Sequence, residues 1–395
     1  MLCRTLLIAL LSLGCAANTR APGATSAPAS RPSADADSPT TLPASVTAQT
    51  STTPAPQLHG RALDLPIHGK SLEGNLLGDS PDRTITVYLP PSYESAPERR
   101  YPVIYLLGGY AAVPELAKMP GLGVQDLIFA PTDEAIASGT LGEVILVNIE
   151  GWNRLGGSFW VNSSTTGNWE DFVTHDVIAA IDARFRTIAE RESRGLYGGS
   201  MGGFGAISVA MHRPELFGTV FAQSPCCLAM VEELGPAPAW GALAQVTLEQ
   251  ADAAFQHGDP TPLEAQALAA AFAPDSDHAP FYGDFPYRVE GERVLPDDPA
   301  YSRWTAQLPA ARLDREAAGL KTLRGFRIQY GDHDTLRHIV VSVPTLDSAL
   351  TAHGVPHEMH VDHGGHVEVE RFANDAVPFF ARTLAGAAGK SASVP

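Results

Sequence analysis

The spacing of apolar and polar positions changes several times along this chain, and each change marks an element. Residues 6–11 form an unbroken apolar run, and residues 18–56 are almost entirely Ala, Pro, Ser, Thr and Asp. From Gly60 the pattern becomes that of a folded domain. Arg83-Thr84-Ile85-Thr86-Val87-Tyr88-Leu89-Pro90 alternates with β-branched residues and predicts a strand, as does Gly60 to Ile67 before the turn at Gly78 to Asp82. Pro102 to Leu107 and Val144 to Ile149 are continuous apolar runs, which suit strands covered on both faces of a parallel sheet. Short helices are predicted at Val124 to Ile128 and Thr132 to Ile136. A longer one runs from Asn168 to about Ile188, where Phe172, Val173, Val177, Ile178, Ile181 and Phe185 recur at helical spacing. Strand and helix then alternate through Phe217 and Val220. They resume with a strand at Phe326 to Tyr330, a helix at Arg337 to His353, a strand at His357 to Asp362 and a helix around Val367 to Leu384. That order predicts an α/β fold with a mostly parallel sheet and no internal repeat.

Residues 228–321 break the alternation. They are rich in Ala, Pro and Glu, with weak helical patterns at Leu248 to Phe255 and Pro262 to Phe272. They also hold Tyr282, Phe285, Tyr287, Tyr301 and Trp304. A long aromatic insertion beside a sheet reads as a cap over a pocket, the alternative being a structural excursion on the far side.

The amino terminus reads as a targeting segment. The apolar run is too short to span a bilayer, follows one basic residue, and ends in Ser12-Leu13-Gly14-Cys15-Ala16. A small residue before a cysteine resembles the lipobox of bacterial lipoproteins, with Ser12 standing where leucine is usual. Residues 1–15 are therefore expected to be a signal peptide ending at a lipidated Cys15, with plain cleavage near Ala16-Ala17 as the alternative. Residues 16–57 are expected to be a tether with too little apolar surface to offset ordering entropy, and 58–388 the catalytic domain. Either route exports the protein, as an outer-membrane lipoprotein or in a secreted or periplasmic form.

Composition narrows the function classes. The 395 residues are 44% hydrophobic and 18% charged, ordinary for a chain with a large core. A formal net charge of -17 argues against nucleic acid as a partner, since phosphates require cations. The 4 cysteines are too few for a disulfide scaffold, and the adjacent Cys226 and Cys227 read as packed thiols.

The chemistry centres on Tyr197-Gly198-Gly199-Ser200-Met201-Gly202-Gly203, which contains G-x-S-x-G between a short strand and an apolar helix. That context is the nucleophile elbow, where glycines permit a tight turn that lifts a serine hydroxyl out of the sheet. A serine nucleophile needs a base, and the base needs an orienting acid. On such a fold the chain order is Ser, then Asp or Glu, then His. Gly331-Asp332-His333-Asp334 and His363-Gly364-Gly365-His366 follow two later strands, at the carboxyl ends where open α/β sheets bind ligands.

Residues from about Ser71 to Leu384 resemble the esterase D-type family of α/β-hydrolases. That family includes feruloyl esterases, S-formylglutathione hydrolases, enterochelin esterases and trehalose mycolyltransferases. The resemblance rests on Ser71 to Gly78, Val87 to Tyr93, Arg100 to Leu107, Gly156 to Ser163, Thr166 to Glu170, the elbow and the Gly-Gly-His. It implies the α/β-hydrolase fold, with helices on both sheet faces, and a serine carboxylic-ester hydrolase acting on small-molecule esters. The family's G-x-x-D acid falls on Asp334 and its base, after two glycines, on His366, leaving Asp332 and His363 as competitors. The implied oxyanion donors are the Met201 and Tyr110 N–H groups. Many relatives read His-Gly-x where this chain reads Gly108-Gly109-Tyr110. Gly109, Trp160, Asn162 and Trp169 fall at implied substrate-binding positions.

Other chemistries are weaker. His357, His360, His363 and His366 recur every third residue, but alternate strand positions diverge whereas a metal needs converging ligands. No phosphate loop or dinucleotide fingerprint is present, so no cofactor is expected. Acyl transfer to a sugar hydroxyl and a non-catalytic envelope binding protein are the alternatives to hydrolysis.

Overall fold

The computed structural model describes residues 57–112, 123–366, 368 and 370–389. Cys15 and the tether as far as residue 56 lie outside the described residues. Eight strands build one sheet: β1 (Arg61–His68), β2 (Asp82–Leu89), β3 (Val103–Leu107), β4 (Ile145–Ile149), β5 (Arg194–Gly199), β6 (Thr219–Gln223), β7 (Gly325–Gly331) and β8 (Glu358–Asp362). Their spatial order is β1-β2-β4-β3-β5-β6-β7-β8. β2 pairs antiparallel with both β1 and β4, and every other pairing is parallel. The mostly parallel sheet is what the alternation of elements predicts, and the arrangement is the α/β-hydrolase fold that the family resemblance implies.

Burial follows strand position. All five residues of β3 and of β6 are buried, because helices cover both faces. β8 forms an edge whose residues are half-buried or exposed, and its polar Glu358, His360 and Asp362 suit that place.

The main helices are α1 (Ala130–Ser138), α2 (Trp169–Asp171 continuing through Phe172–Val177 and Ile178–Arg184), α3 (Met201–His212), α4 (Ala239–Leu243), α5 (Leu248–Gln256), α6 (Thr261–Phe272), α7 (Ala300–Gln307), α8 (Pro309–Leu320), α9 (Arg337–Ala352) and α10 (Val377–Thr383). α2 differs from the expected helix in two ways. Its middle, Phe172–Val177, is a π-helical turn, so buried Phe172 and Val177 lie five residues apart on the covered side. It also stops at Arg184 and not at Ile188. Phe185 is extended, and the Ile188 N–H donates to the Tyr101 carbonyl while Thr187 bridges Tyr101. Pairing beside β3 outcompetes another helical turn.

The insertion divides in two. Its carboxyl-terminal helix α8 is a sheet-flanking layer packed on α3. Arg312 is fully buried there, reaching the Ser208 carbonyl at 3.4 Å and Glu316 at 2.5 Å. The remainder, with α4 to α7 and a hairpin of Tyr287–Glu290 and Arg293–Pro296, has a small aromatic core of its own. Trp240 meets Phe285, Tyr287 and Trp304 at ring separations of 5.7, 5.9 and 5.7 Å. Trp304 is therefore an interior residue of the insertion, while Tyr287, 5% exposed, belongs to the same aromatic cluster and also borders a cavity. Phe272 joins this core to the domain below by contacting Phe159 and Phe204.

Candidate active site

Each motif from the sequence lies at the carboxyl edge of the sheet. β5 ends at Gly199 and α3 begins at Met201, so Ser200 alone makes the turn, with φ 55° and ψ −121°. Few L-residues adopt this backbone, and it persists only where the surroundings hold it. Here the Ser200 N–H donates to the Gln223 carbonyl, and the Ser200 carbonyl accepts from Phe204 and Cys226. The flanking glycines are steric necessities. A Cβ on Gly198 would lie 2.1 Å from the Gly202 carbonyl oxygen, and one on Gly202 would lie 2.0 Å from that of Leu107.

The loops after β7 and β8 are zipped together. Asp332 N–H donates to the Asp362 carbonyl and His333 N–H to that of Gly364, and Gly331 passes so close to Gly364 that a Cβ would collide at 2.0 Å. This brings residues 32 positions apart into contact. His366 Nδ1 lies 2.8 Å from Asp334 Oδ2, and His366 Nε2 lies 2.9 Å from Ser200 Oγ. The Asp334 side chain is fully buried and His366 nearly so. Asp334 Oδ1 accepts from the Leu336 N–H, so the carboxylate is fixed at both oxygens. A carboxylate only accepts, so Nδ1 carries the ring proton and Nε2 presents its lone pair to the serine hydroxyl. The competing residues meet elsewhere. His363 Nδ1 lies 2.9 Å from Asp332 on the exposed rim, away from the nucleophile.

The histidine loop is braced by a residue that the motifs do not reveal. Arg371 is 3% exposed and donates through Nε and Nη2 to Asp362 at 2.8 and 2.6 Å. Its remaining donors reach the carbonyls of Gly365 and His366 and the hydroxyl of Ser224. Burial alone would raise the Asp362 carboxyl, but Arg371, Gln329 and the Gly364 N–H together hold it down to about 2. Glu368, Glu370, Asn374 and Asp375 surround it in the chain, so nothing in the sequence singled Arg371 out.

Met201 is the first residue of α3, so its N–H has no intrahelical partner and points with the helix dipole. Gly109 runs beside the nucleophile: a Cβ on it would sit 3.9 Å from Ser200 Cβ. The Tyr110 ring turns into the protein, stacking on Phe159 and donating from its hydroxyl to the Leu155 carbonyl at 2.8 Å. Gly156 and Gly157 make room for that ring, since a Cβ on either would lie 2.6 Å from it.

Two of the expected substrate-binding side chains, Trp160 and Trp169, are packed into the interior. Trp160 and Trp169 are 0% and 1% exposed. Trp160 Nε1 donates to the Gly108 carbonyl, buttressing the β3 loop, and Trp169 Nε1 donates to that of Thr166. Asn162 is exposed, and its Oδ1 accepts from Asp171 N–H in the first turn of α2. Aromatic residues in a glycine-rich loop resemble a pocket wall in sequence; packing against Gly151 and Gly205 made Trp160 a core residue.

The four spaced histidines do not converge. His357 pairs with Asp347, His360 is exposed, His363 pairs with Asp332, and His366 faces Ser200. Asp275, His278 and Asp284 in the insertion form a closer group, but Arg303 also pairs with Asp284. A cavity of about 780 Å³ opens nearby, lined in part by Gln266, Phe281, Tyr287 and Asp298, and none of Ser200, Asp334 and His366 lines it. Cys226 and Cys227 are buried, unbridged thiols behind the nucleophile.

The family described as "Putative esterase" matches residues 80–375. Esterase Rv1288 of Mycobacterium tuberculosis is 34% identical over 128 residues, 32% of this chain and 25% of that protein. An endo-1,4-beta-xylanase/feruloyl esterase of Xylanibacter ruminicola is 31% identical over 139 residues, 34% of this chain and 18% of that protein. The matched stretch thus spans a quarter or less of these relatives. Among solved structures, an S-formylglutathione hydrolase from Agrobacterium tumefaciens superposes with a TM-score of 0.53 at 17% identity, covering 83% of this chain and 97% of its own. A ferulic acid esterase gives 0.52 at 20%, covering 83% and 100%. At these identities the likeness speaks for the fold.

Proposed function

The chain belongs to this esterase family of carboxylic-ester hydrolases, and from that premise we propose that it hydrolyses small-molecule esters through Ser200, His366 and Asp334. One observation carries the reading: a strained elbow serine 2.9 Å from an imidazole that is itself 2.8 Å from a buried carboxylate. In this mechanism His366 Nε2 takes the proton from Ser200 Oγ as the oxygen attacks the ester carbonyl. Asp334 holds the tautomer and stabilises the imidazolium. The N–H groups of Met201 and Tyr110 receive the negative charge that develops on the carbonyl oxygen. His366 then protonates the departing alcohol. Water, activated by the same imidazole, attacks the acyl-serine and releases the acid. The residues act alone in this scheme, with no metal or cofactor.

The buried pair and the absence of slack around Ser200 favour catalysis over ligand binding, since a binding protein has no use for a strained nucleophile. Labelling by a fluorophosphonate probe, lost in Ser200→Ala, tests this. A panel of aryl esters graded by acyl length, run beside feruloyl and acetylated-sugar esters with and without an added sugar acceptor, separates hydrolysis from acyl transfer. We also propose that the chain is exported, with Cys15 as the lipidated residue and membrane tether. No helix among the described residues is long and apolar enough to cross a membrane.

A further inference from the structure

The cavity of about 780 Å³ lies wholly within the insertion and takes no part in the mechanism above. It opens between α4, α6, the loop that follows α6 and the hairpin beginning at Tyr287, and its lining runs from Gly241 to Ala300. Its volume is that of a small-molecule site. Exposure gives it a direction. Gln266, Phe281 and Tyr287 are 2%, 6% and 5% exposed and form its depth, whereas Asp277 and Asp298 are exposed and form its mouth.

The depth is apolar with one polar feature. Phe281, Phe285 and Tyr287 line it together, and the last two are backed by Trp240 at ring separations of 5.7 and 5.9 Å. Gln266 donates one amide hydrogen to the Leu243 carbonyl at 2.9 Å, and among the described residues its amide oxygen has no donor. A buried acceptor without a donor costs stability unless the contents of the cavity supply one.

The mouth is acidic, and most of its acids lack a counter-charge. Among the described residues the Asp277 carboxylate has neither a hydrogen bond nor an ion pair. Asp298 accepts only from the Ser302 N–H and hydroxyl, both through Oδ1, at 3.2 and 2.7 Å. Asp297 meets Arg288 at 3.4 Å, and that guanidinium is held more closely by Glu290 and the Pro296 carbonyl, both at 3.0 Å. Asp284 differs, because His278 Nδ1 and Arg303 each take one of its oxygens, at 2.6 and 2.5 Å.

This arrangement selects a charge and a shape. An anion would face three carboxylates and a guanidinium already engaged elsewhere. A neutral polyol would exchange water for similar hydrogen bonds at the mouth and gain nothing from the charge. A bare metal ion would leave the aromatic depth empty. An organic cation gains from both parts, since an acid-lined cleft with apolar walls concentrates positive charge. We propose that the cavity is a binding site for an organic ammonium. Asp277, Asp297 and Asp298 hold the charged head at the mouth, and the apolar body lies against Phe281, Phe285 and Tyr287, with the Gln266 oxygen open to a donor at its far end. The site stands apart from Ser200 and does not depend on the esterase reading.

Calorimetric titration of the full chain with three probes that share one body tests this: phenylpropylammonium, phenylpropanol and phenylpropanoate. The ammonium should bind at one site, about tenfold tighter than the alcohol, and the carboxylate should not bind there. Added salt should weaken the ammonium and spare the alcohol, because charges at an exposed mouth are screened. Asp277→Asn combined with Asp298→Asn, two exposed positions, should cut the ammonium affinity by about tenfold and leave the alcohol unchanged. Ala244, at the carboxyl end of α4, is exposed and lines the cavity, so Ala244→Trp should obstruct both probes while ester hydrolysis persists. Equal affinity for ammonium and alcohol, tighter binding of the carboxylate or of a neutral xylo-oligosaccharide, no ammonium heat at millimolar concentration, or undiminished binding in either variant would overturn the site. Ser200→Ala should bind the ammonium as the parent does; lost binding there would place the probe at the nucleophile and also overturn it. Failure of the esterase reading alone, seen as absent fluorophosphonate labelling, would leave these binding results standing.

Discussion

Ser200 shows how one residue's backbone constrains its neighbours. Its φ of 55° exists because Gly198 and Gly202 let strand and helix approach to distances that exclude any Cβ. Gly202→Ala should therefore cost several kcal/mol, of the order of overpacking a rigid core, and shift the denaturant midpoint without changing the slope. Ser200→Ala and His366→Ala should each lower kcat by about 10⁴-fold or more, and the double variant little further, because the groups act as a unit. Steady-state kinetics on one aryl ester decide that. Asp334→Ala should be far more damaging than Asp332→Ala, whose carboxylate pairs with His363 at the rim. Tyr110 offers a sharper comparison. Its ring hydroxyl donates to Leu155, so Tyr110→Phe should lose about 1 kcal/mol of stability and keep its kcat. Tyr110→Pro removes the N–H and should lower kcat by roughly 10²–10³-fold with KM little changed. Equal kcat in the two folded variants would move the second oxyanion donor to Gly109 or Ala111.

At the scale of elements, the site is held by contacts between loops. Arg371 ties the segment before α10 to Asp362 and to the carbonyls flanking His366. Arg371→Met should lower kcat by misplacing His366 and should reduce stability, as removal of one partner of a buried charged network does. The Asp362 carboxyl, held at about 2, is depressed relative to its unfolded value. Its contribution to stability is thus fully present above about pH 4 and is lost as pH falls through about 2. Asp362→Asn should flatten the acid limb of the stability curve in that window, measured by denaturant titration at successive pH values. Trp160→Phe should act in a similar way on the other side of the nucleophile. It removes the indole donor to the Gly108 carbonyl, and kcat should fall more than KM rises. The aromatic residues of the insertion carry the opposite lesson. As a row of letters Tyr287, Tyr301 and Trp304 resemble a pocket lining, yet Trp304 is completely buried in the core of the insertion, and of the three only Tyr287 borders its cavity. An apolar ring suits a cavity wall and a small core equally well, and only neighbouring chain distinguishes them.

For the molecule as a whole, export is the open proposal with a direct measurement. The mass of the mature amino terminus, taken from protein expressed in a bacterium that processes lipoproteins, should show a diacylated or triacylated Cys15. An unmodified start near Ala17 or Asn18 would mean plain secretion. Activity should also survive a chelator, since the scheme routes every step through side chains and water.

The alternation of strand and helix and the elbow were legible because each depends on residues close together in sequence; the order Ser, Asp, His, spread over 166 positions, was read from the chain order such a fold imposes. Period reports which face an element buries, and glycines report where backbones must touch. Helix α8 was not legible as part of the main layer. Its amphipathic pattern is the same whether it covers a sheet or a cap, and the choice is made by buried Arg312 meeting α3. The choice of Asp334 over Asp332 rested on family resemblance in sequence. In space it follows from the register of β7 on β8, which turns Asp334 inward to His366 and Asp332 outward to His363. The bracing role of Arg371 had no sequence signal, since Glu368, Glu370, Asn374 and Asp375 make its neighbourhood as polar as any surface segment. Local pattern fixes local conformation, whereas a polar group acquires its partner, or is left without one, only when distant segments close around it.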